Sequence, residues 1–192
     1  YQQILTFKKL QIMKTLFFTF LTFISLMACK SDDDNNIEEE ITTEAGAANI
    51  TLTAGGEQYK INGSCGWAVV MGSRYIGAKD EANSLKTFST FFNINELPTA
   101  TTTYTLVANQ NDTAPNHIWM NITEIRGGGL FEYTSSDTSG TLTLKVEGNK
   151  VSVDLAGIVL KPSTNSGAYT NLNVGAFSNP GTLSGTLVFY RN

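Results

Sequence analysis

The sequence predicts an all-β fold: a single antiparallel domain of about nine or ten strands, closed as a β-sandwich or in a barrel-like way. Three observations carry this. From Asn49 onward, apolar and polar residues alternate with period two in run after run. Short stretches containing Gly, Asn and Pro separate the runs. No stretch after Cys29 sustains a helical period. The reading divides the chain into an apolar leader over 1–28, an acidic linker over 29–48 and the β domain over 49–192.

The leader comes first. Lys14 stands before Leu16–Leu26, LFFTFLTFISL, which carries no charge. A positive front, a short apolar run and a small residue before a cut make a secretory signal peptide. Met13-Lys14 is the better start for such a signal, which makes residues 1–12 an over-called or unprocessed extension. The run to Ala28 is shorter than the roughly 20 residues a membrane-spanning helix needs. Leu26-Met27-Ala28-Cys29 fits the lipobox of bacterial lipoproteins, in which a small residue precedes the acylated Cys. Met27 is a less usual choice there. Cys29 is therefore the expected lipidation site, carrying diacylglycerol and palmitate-type chains, and the first residue of the mature protein.

The linker follows. Lys30-Ser31-Asp32-Asp33-Asp34 resembles the short acidic export signal of surface lipoproteins in Bacteroidetes-type bacteria. That resemblance implies display on the outer face of the outer membrane. The same run reads as a solvated tether. It lacks the spaced ligands and the Gly of an EF-hand loop, so calcium is not expected. Low apolar content and high charge keep such a segment from ordering itself.

The whole chain has a formal charge of −4. Much of the acidity sits in the linker, at Asp32–Asp34, Glu38–Glu40 and Glu44. The β domain is close to neutral, so the basic footprint of a nucleic-acid binder is missing. There are 2 cysteines. With Cys29 consumed by lipid, Cys65 has no partner for an intramolecular disulfide, and it reads as a small buried hydrophobe.

The strands are taken in order. Ile50, Leu52 and Ala54 alternate with Asn49, Thr51 and Thr53. Gly55-Gly56 then supplies a two-residue turn, and Glu57–Ile61 returns. That turn sets Leu52 opposite Tyr59 and Ile50 opposite Ile61. Trp67–Gly72 and Arg74–Lys79 form a second apolar pair. Ser84–Asn95 follows, with Phe88, Phe92 and Ile94 on one face and Phe91 on the other. Pro98 breaks the pattern, and Tyr104–Ala108 resumes it. In His117–Ile125, Ile118, Met120 and Ile122 share a face; Gly127-Gly128-Gly129 then marks a bulge or loop before Leu130–Tyr133. Thr141–Leu155 is the clearest hairpin. Gly148-Asn149 turns it, Glu147 faces Lys150, and Leu142, Leu144, Val146, Val151, Val153 and Leu155 line one face. Gly157–Asn179 is irregular, and Leu183–Tyr190 closes the chain with Leu187 and Phe189 on one side.

Five segments occur in this order: Thr103-Tyr104-Thr105-Leu106, Tyr133-Thr134-Ser135-Ser136, Ser139–Thr143, Glu147–Ser152 and Gly175–Asn179. With them, most of residues 50–190 resembles a family of small Bacteroidetes-type lipoproteins carrying a β-rich domain of unknown function. The resemblance implies a fold and an outer-membrane, cell-surface address, and carries over no catalytic residues.

Chemistry-bearing patterns are few. The 1 histidine, His117, reads as a surface strand residue. No nucleophile elbow, zinc cluster or phosphate loop occurs in the sequence, so neither a metal nor a cofactor is expected. Trp67, Tyr75, Trp119 and Tyr133 are the residues able to stack on a sugar ring if exposed, although such rings more often pack in a core. Asp112-Thr113-Ala114 matches the three-residue O-glycosylation signal of Bacteroidetes-type exported proteins, with Thr113 as acceptor. The expectation is a non-catalytic structural or binding module of the cell envelope. Its partners would be the membrane, through the lipid, and an envelope glycan or protein. The alternative is a small glycan-active hydrolase using an unidentified carboxylate pair.

Overall fold

The computed structural model describes residues 45–70, 73–92, 96–112, 114–164 and 169–191. Cys29, the Lys30–Asp34 run, Ile94 and Thr113 lie outside the described residues. Among the described residues, twelve strands join in one sheet. They are β1 Gly46–Ala54, β2 Glu57–Val70, β3 Ser73–Asp80, β4 Lys86–Phe92, β5 Thr102–Leu106 and β6 His117–Arg126. After these come β7 Gly129–Thr134, β8 Thr141–Glu147, β9 Lys150–Asp154, β10 Val159–Pro162, β11 Thr170–Asn171 and β12 Gly181–Tyr190. The helical content among the described residues is one 3₁₀ turn, Gly175–Ser178.

Nine of the strands close a ring in the order β1-β2-β3-β4-β6-β5-β8-β9-β12 and back to β1. The architecture is therefore a barrel rather than a sandwich. The sheet is not wholly antiparallel, as the alternation led one to expect. A closed ring with an odd number of strands must contain a parallel pair, and here it is β5 with β6. The short β11 also runs parallel to β7.

The wall forks between β6 and β12. The start of β6 pairs with β5 through His117 and Ile118, while Asn121–Arg126 pair with β7. The start of β12 pairs with β10, and Thr186–Tyr190 pair with β9. Strands β5, β8 and β9 thus bridge the gap at one level, and β7 and β10 bridge it at the other. Backbone groups at the fork lose strand partners, and buried serines serve them. Ser135 Oγ accepts from the Met120 N–H at 3.0 Å and donates to the Val107 carbonyl at 2.7 Å. Ser139 Oγ accepts from the Ser136 N–H at 2.8 Å and donates to the Val159 carbonyl. An unserved buried backbone group would cost about 1–3 kcal/mol.

All but one of the pairings predicted from the turns are present. Leu52 faces Tyr59 and Ile50 faces Ile61 across Gly55-Gly56, both glycines having positive φ. Glu147 faces Lys150, Val146 faces Val151, and Leu144 faces Val153. The same register carried on would set Leu142 opposite Leu155; that pairing is not formed, because β9 ends at Asp154, and Leu142 pairs on its other edge with Tyr104. One reading changes. Strand β2 runs unbroken through Asn62–Gly66, since β1 and β3 pair with it on both edges there. At Gly63 a Cβ would lie 2.4 Å from the Lys79 carbonyl, so Gly lets the neighbouring backbone approach. Of the bulge or loop expected at Gly127–Gly129, the structure shows a loop, a positive-φ turn at Gly127-Gly128, while Gly129 belongs to β7.

The interior is packed with one apolar cluster. Phe88 and Phe92 from β4, Ile118, Met120 and Ile122 from β6, and Leu142, Leu144, Val151 and Val153 from the β8–β9 hairpin all point inward. Phe91 lies on the outer face. Cys65 is buried with them as a free thiol, and burial pushes its pKa up to about 12.

The barrel has two distinguishable ends. At the proximal end the chain enters at Gly46 and leaves at Tyr190, beside the tip of the β2–β3 hairpin and the Gly148-Asn149 turn. At the distal end lie the Gly55-Gly56 turn, the loop 81–85, the Gly127-Gly128 turn and a strap over 172–180.

The register of β8 sets a direct test. Leu144 is fully buried while its neighbour Thr143 is exposed. Leu144→Ala should destabilise by about 2–5 kcal/mol in chemical denaturation, and Thr143→Ala by less than about 1 kcal/mol.

Candidate functional site

The polar feature that stands out lies at the distal mouth, and strand parity puts it there. Ile118, Met120 and Ile122 face inward, so the next residue in step, Glu124, does too, at 2 % exposure. On β3, Ile76 and Ala78 lead in the same way to Asp80, at 7 % exposure. On β2 the inward row contributes Tyr59.

Buried carboxylates need partners, and these have them. Glu124 Oε2 accepts from the Tyr59 hydroxyl at 2.9 Å and from the Arg126 guanidinium. Its Oε1 accepts from the Asn83 side-chain amide at 2.9 Å. Asp80 Oδ1 accepts from the Asn83 N–H and Oδ2 from the Asn62 N–H, each at 2.9 Å. The Lys86 ammonium stands 4.9 Å from the centre of the Tyr59 ring. Burial pushes the Glu124 carboxyl up, but the bonds from Arg126 and Tyr59 outweigh it and hold the group below its usual range. Burial, then the Glu124 charge, drive the Tyr59 phenol far up.

Asn83 joins the two acids, which makes them the nearest thing to a hydrolytic pair. Their geometry suits holding rather than proton transfer. All four carboxylate oxygens are taken by the protein, and Glu124 is stabilised as the anion, the wrong form for a general acid. Glu132 is the described carboxyl held above its usual range: burial pushes it up, and bonds from Ser163 and Asn121 limit the rise. It points to the other face of the sheet from Glu124, since its register partner is Thr123, so the two do not form a site.

Beside the charges lies an aromatic cluster. Tyr59 and Phe131 stack with centroids 4.5 Å apart. Phe177, from the 3₁₀ turn, sits edge-on to both, at 6.4 and 5.4 Å. Tyr133 lies beside Phe131 at 5.5 Å, and its hydroxyl is 2.8 Å from the carbonyls of both Phe177 and Asn179.

The aromatic residues singled out in the sequence do not come together. Tyr133 is at 0 % exposure inside the barrel and offers no ring face to a sugar, because its position is in step with inward-facing Phe131. Tyr75 and Trp119 point outward on β3 and β6 and flank Phe91 at 4.3 and 4.9 Å, yet both are buried. Trp67 is half-buried at the proximal end, where its indole N–H donates to the Tyr190 carbonyl at 2.9 Å. Arg74 lies 5.8 Å from its ring centre. His117 Nδ1 approaches Asp112 Oδ1 to 3.0 Å, a close contact not aimed as a hydrogen bond. Asp112 also accepts the Ala114 N–H at 2.9 Å, and that bond leads in holding its carboxyl below the usual range. Among the described residues, no group of three His, Cys, Asp or Glu side chains is placed to hold a metal.

The Glu124 cluster went unread in the sequence, although a signal for it exists: a charge falling in step with an apolar row. Comparison with protein-family models, with curated proteins and with solved structures finds no match. The structure is a closed, forked β-barrel with a polar distal end lined by aromatic rings.

The pH dependence follows from the direction of the Glu124 shift. A carboxyl whose folded pKa is depressed stabilises the fold above its unfolded value of about 4.3, and that stability is lost as pH falls through the folded value. Glu124→Gln should therefore lower stability at pH 7. Its difference from the wild type should shrink as pH drops below about 4.3 in parallel urea titrations.

Proposed function

We propose that this chain is a lipid-anchored lipoprotein of the outer membrane, displayed at the cell surface, whose barrel is a non-catalytic structural or binding module of the envelope. The observation that carries the reading is the segment Lys14–Cys29, a charged front and short apolar run ending in Ala28-Cys29. The acidic run Lys30–Asp34, like that of Bacteroidetes-type surface lipoproteins, supports the surface address. The closed β-barrel with its polar, aromatic distal end supports the module role. The partners proposed are the membrane, through the lipid, and an envelope glycan or protein. Thr113 is proposed as an O-glycosylation acceptor. Hydrolysis is the second reading, and it is not favoured, because the Asp80 and Glu124 oxygens are all engaged.

Anchoring is tested at Cys29. Only a thiol accepts the diacylglycerol, and two or three chains at about 0.8 kcal/mol per buried CH₂ give stable attachment where one is marginal. Cys29→Ser should abolish palmitate labelling and release the protein from the membrane fraction. Retained label and membrane association would refute the anchor.

Display is tested separately. Replacing Asp32, Asp33 and Asp34 together by Ala should keep the lipid but lower the fraction removed by protease shaving of intact cells. Equal shaving would reduce the acidic run to a plain tether.

A further inference from the structure

We propose that the distal mouth is a binding site for an aromatic residue carried on a peptide, and that Phe177 is its resident, displaceable occupant. The inference rests on reading the domain as a binding module, and it names the site and the class of partner.

The seat is built and held in place. Tyr59 and Phe131 stack to form it, and Tyr59 is fixed by its bond to Glu124. Glu124 is fixed in turn by Arg126 and Asn83. A seat held this way costs little to organise when a ligand arrives. The Arg126 side chain is 56 % exposed at the rim, with guanidinium donors beyond the one that meets Glu124.

The occupant is held more weakly than the seat. Phe177 is only partly buried where it packs on the core, no residue of the 3₁₀ turn Gly175–Ser178 is fully buried, and Val174 before it is 69 % exposed. The start of the strap is anchored: the Leu172 N–H donates to the Leu130 carbonyl at 2.9 Å, and Asn173 Oδ1 accepts from the Glu132 N–H at 2.9 Å. Beyond Asn173 the fastening thins. One Tyr133 hydroxyl faces two carbonyls, Phe177 and Asn179, and has one proton to give. Gly175 has φ +59, with nothing within 4 Å of where a Cβ would sit, a conformation that glycine adopts without strain. At the other side of the strap, Gly55 leaves room for Ala176, whose Cα would lie 2.9 Å from any Cβ there.

The resident defines the ligand. The seat takes an aromatic ring flanked by small residues, Ala176-Phe177-Ser178, with a backbone carbonyl offered to Tyr133. An external segment of that chemistry competes with the strap for the same contacts. A competitor joined to its own site has a high effective concentration, so removing it should raise the apparent affinity for an outside peptide.

The test uses the full chain and two fluorescent peptides, VGAFSNP and VGAASNP. The wild type should bind VGAFSNP weakly, and Phe177→Ala should bind it at least about tenfold more tightly. VGAASNP should bind the variant at least about tenfold more weakly than VGAFSNP does. A folded Phe177→Ala chain that binds both peptides equally, or VGAFSNP no better than wild type, overturns the proposal. If that variant does not fold, hydrogen exchange on the wild type decides. The Phe177 and Asn179 amides should exchange at least about a hundredfold faster than that of Leu183 in β12, and protection equal to Leu183 overturns the proposal. Loss of lipidation leaves this solution experiment unchanged. Capture of envelope material through another surface, with both peptides inert, would sink the site while leaving the module reading intact.

Discussion

Strand β1 carries a hydrogen-bonded ladder on each edge, and the rest of the molecule depends on that double pairing. On one side it meets β2 from Gly46 to Ala54; on the other it meets β12 from Ala47 to Thr53. The first and last strands of the domain are thereby neighbours, and the ring has no open edge where they meet. The approach is close. A Cβ at Gly46 would lie 2.1 Å from the Cys65 carbonyl and 2.7 Å from that of Val188. A Cβ at Gly185 would lie 1.9 Å from the Asn49 carbonyl, and Gly185 also has φ +106. Glycine at these two places is what lets three strands come together.

Closure makes an inside, and the inside sorts the residues. Along each strand every second side chain faces a closed interior, so a misplaced polar residue has no solvent to escape to. Thr90 lies between Phe88 and Phe92 at 0 % exposure, with its hydroxyl accepting from the Ile76 N–H. Glu124 occurs where the inward row of β6 reaches the distal rim, and Arg126, Tyr59 and Asn83 converge on it there. The fork between β6 and β12 follows from fitting nine strands into the ring while two more close its distal tier. Ser135 and Ser139 supply the bonds that the interrupted ladders lack. One closed wall therefore yields two unlike ends: a proximal end where β1 begins and β12 finishes, and a distal end lined by aromatic rings.

Local register was legible in the sequence wherever a tight glycine turn stood between two alternating runs. Gly55-Gly56 and Gly148-Asn149 fix their hairpins because a two-residue turn leaves no freedom of register. The ring itself was not legible. Nothing local in Ala47–Thr53 says that the strand 130 or so residues later will lie beside it, because such pairing is decided by the whole sheet. The same holds for Asn62–Gly66, whose glycines read as a break until both neighbours are in place. Parity correctly put Phe88, Phe92, Ile118, Met120 and Ile122 together. Carried one step further it reaches Glu124, but Tyr59 and Asn83, which make that carboxylate tolerable, come from strands and loops distant in sequence. Tyr133 shows the converse. An aromatic residue beside polar neighbours invites a binding role, and only the closed barrel reveals that its ring is filled in on all sides.

The most direct test of this account is the pairing of β1 in solution, read from backbone nuclear Overhauser contacts on the full chain. A closed ring predicts cross-strand contacts on both edges of one strand: Leu52 with Tyr59 in β2, and Leu52 with Leu183 in β12. Contacts from β1 to β2 alone, with the β12 amides on that side exchanging as a free edge, would contradict closure. The distal mouth inferred from it would fall as well.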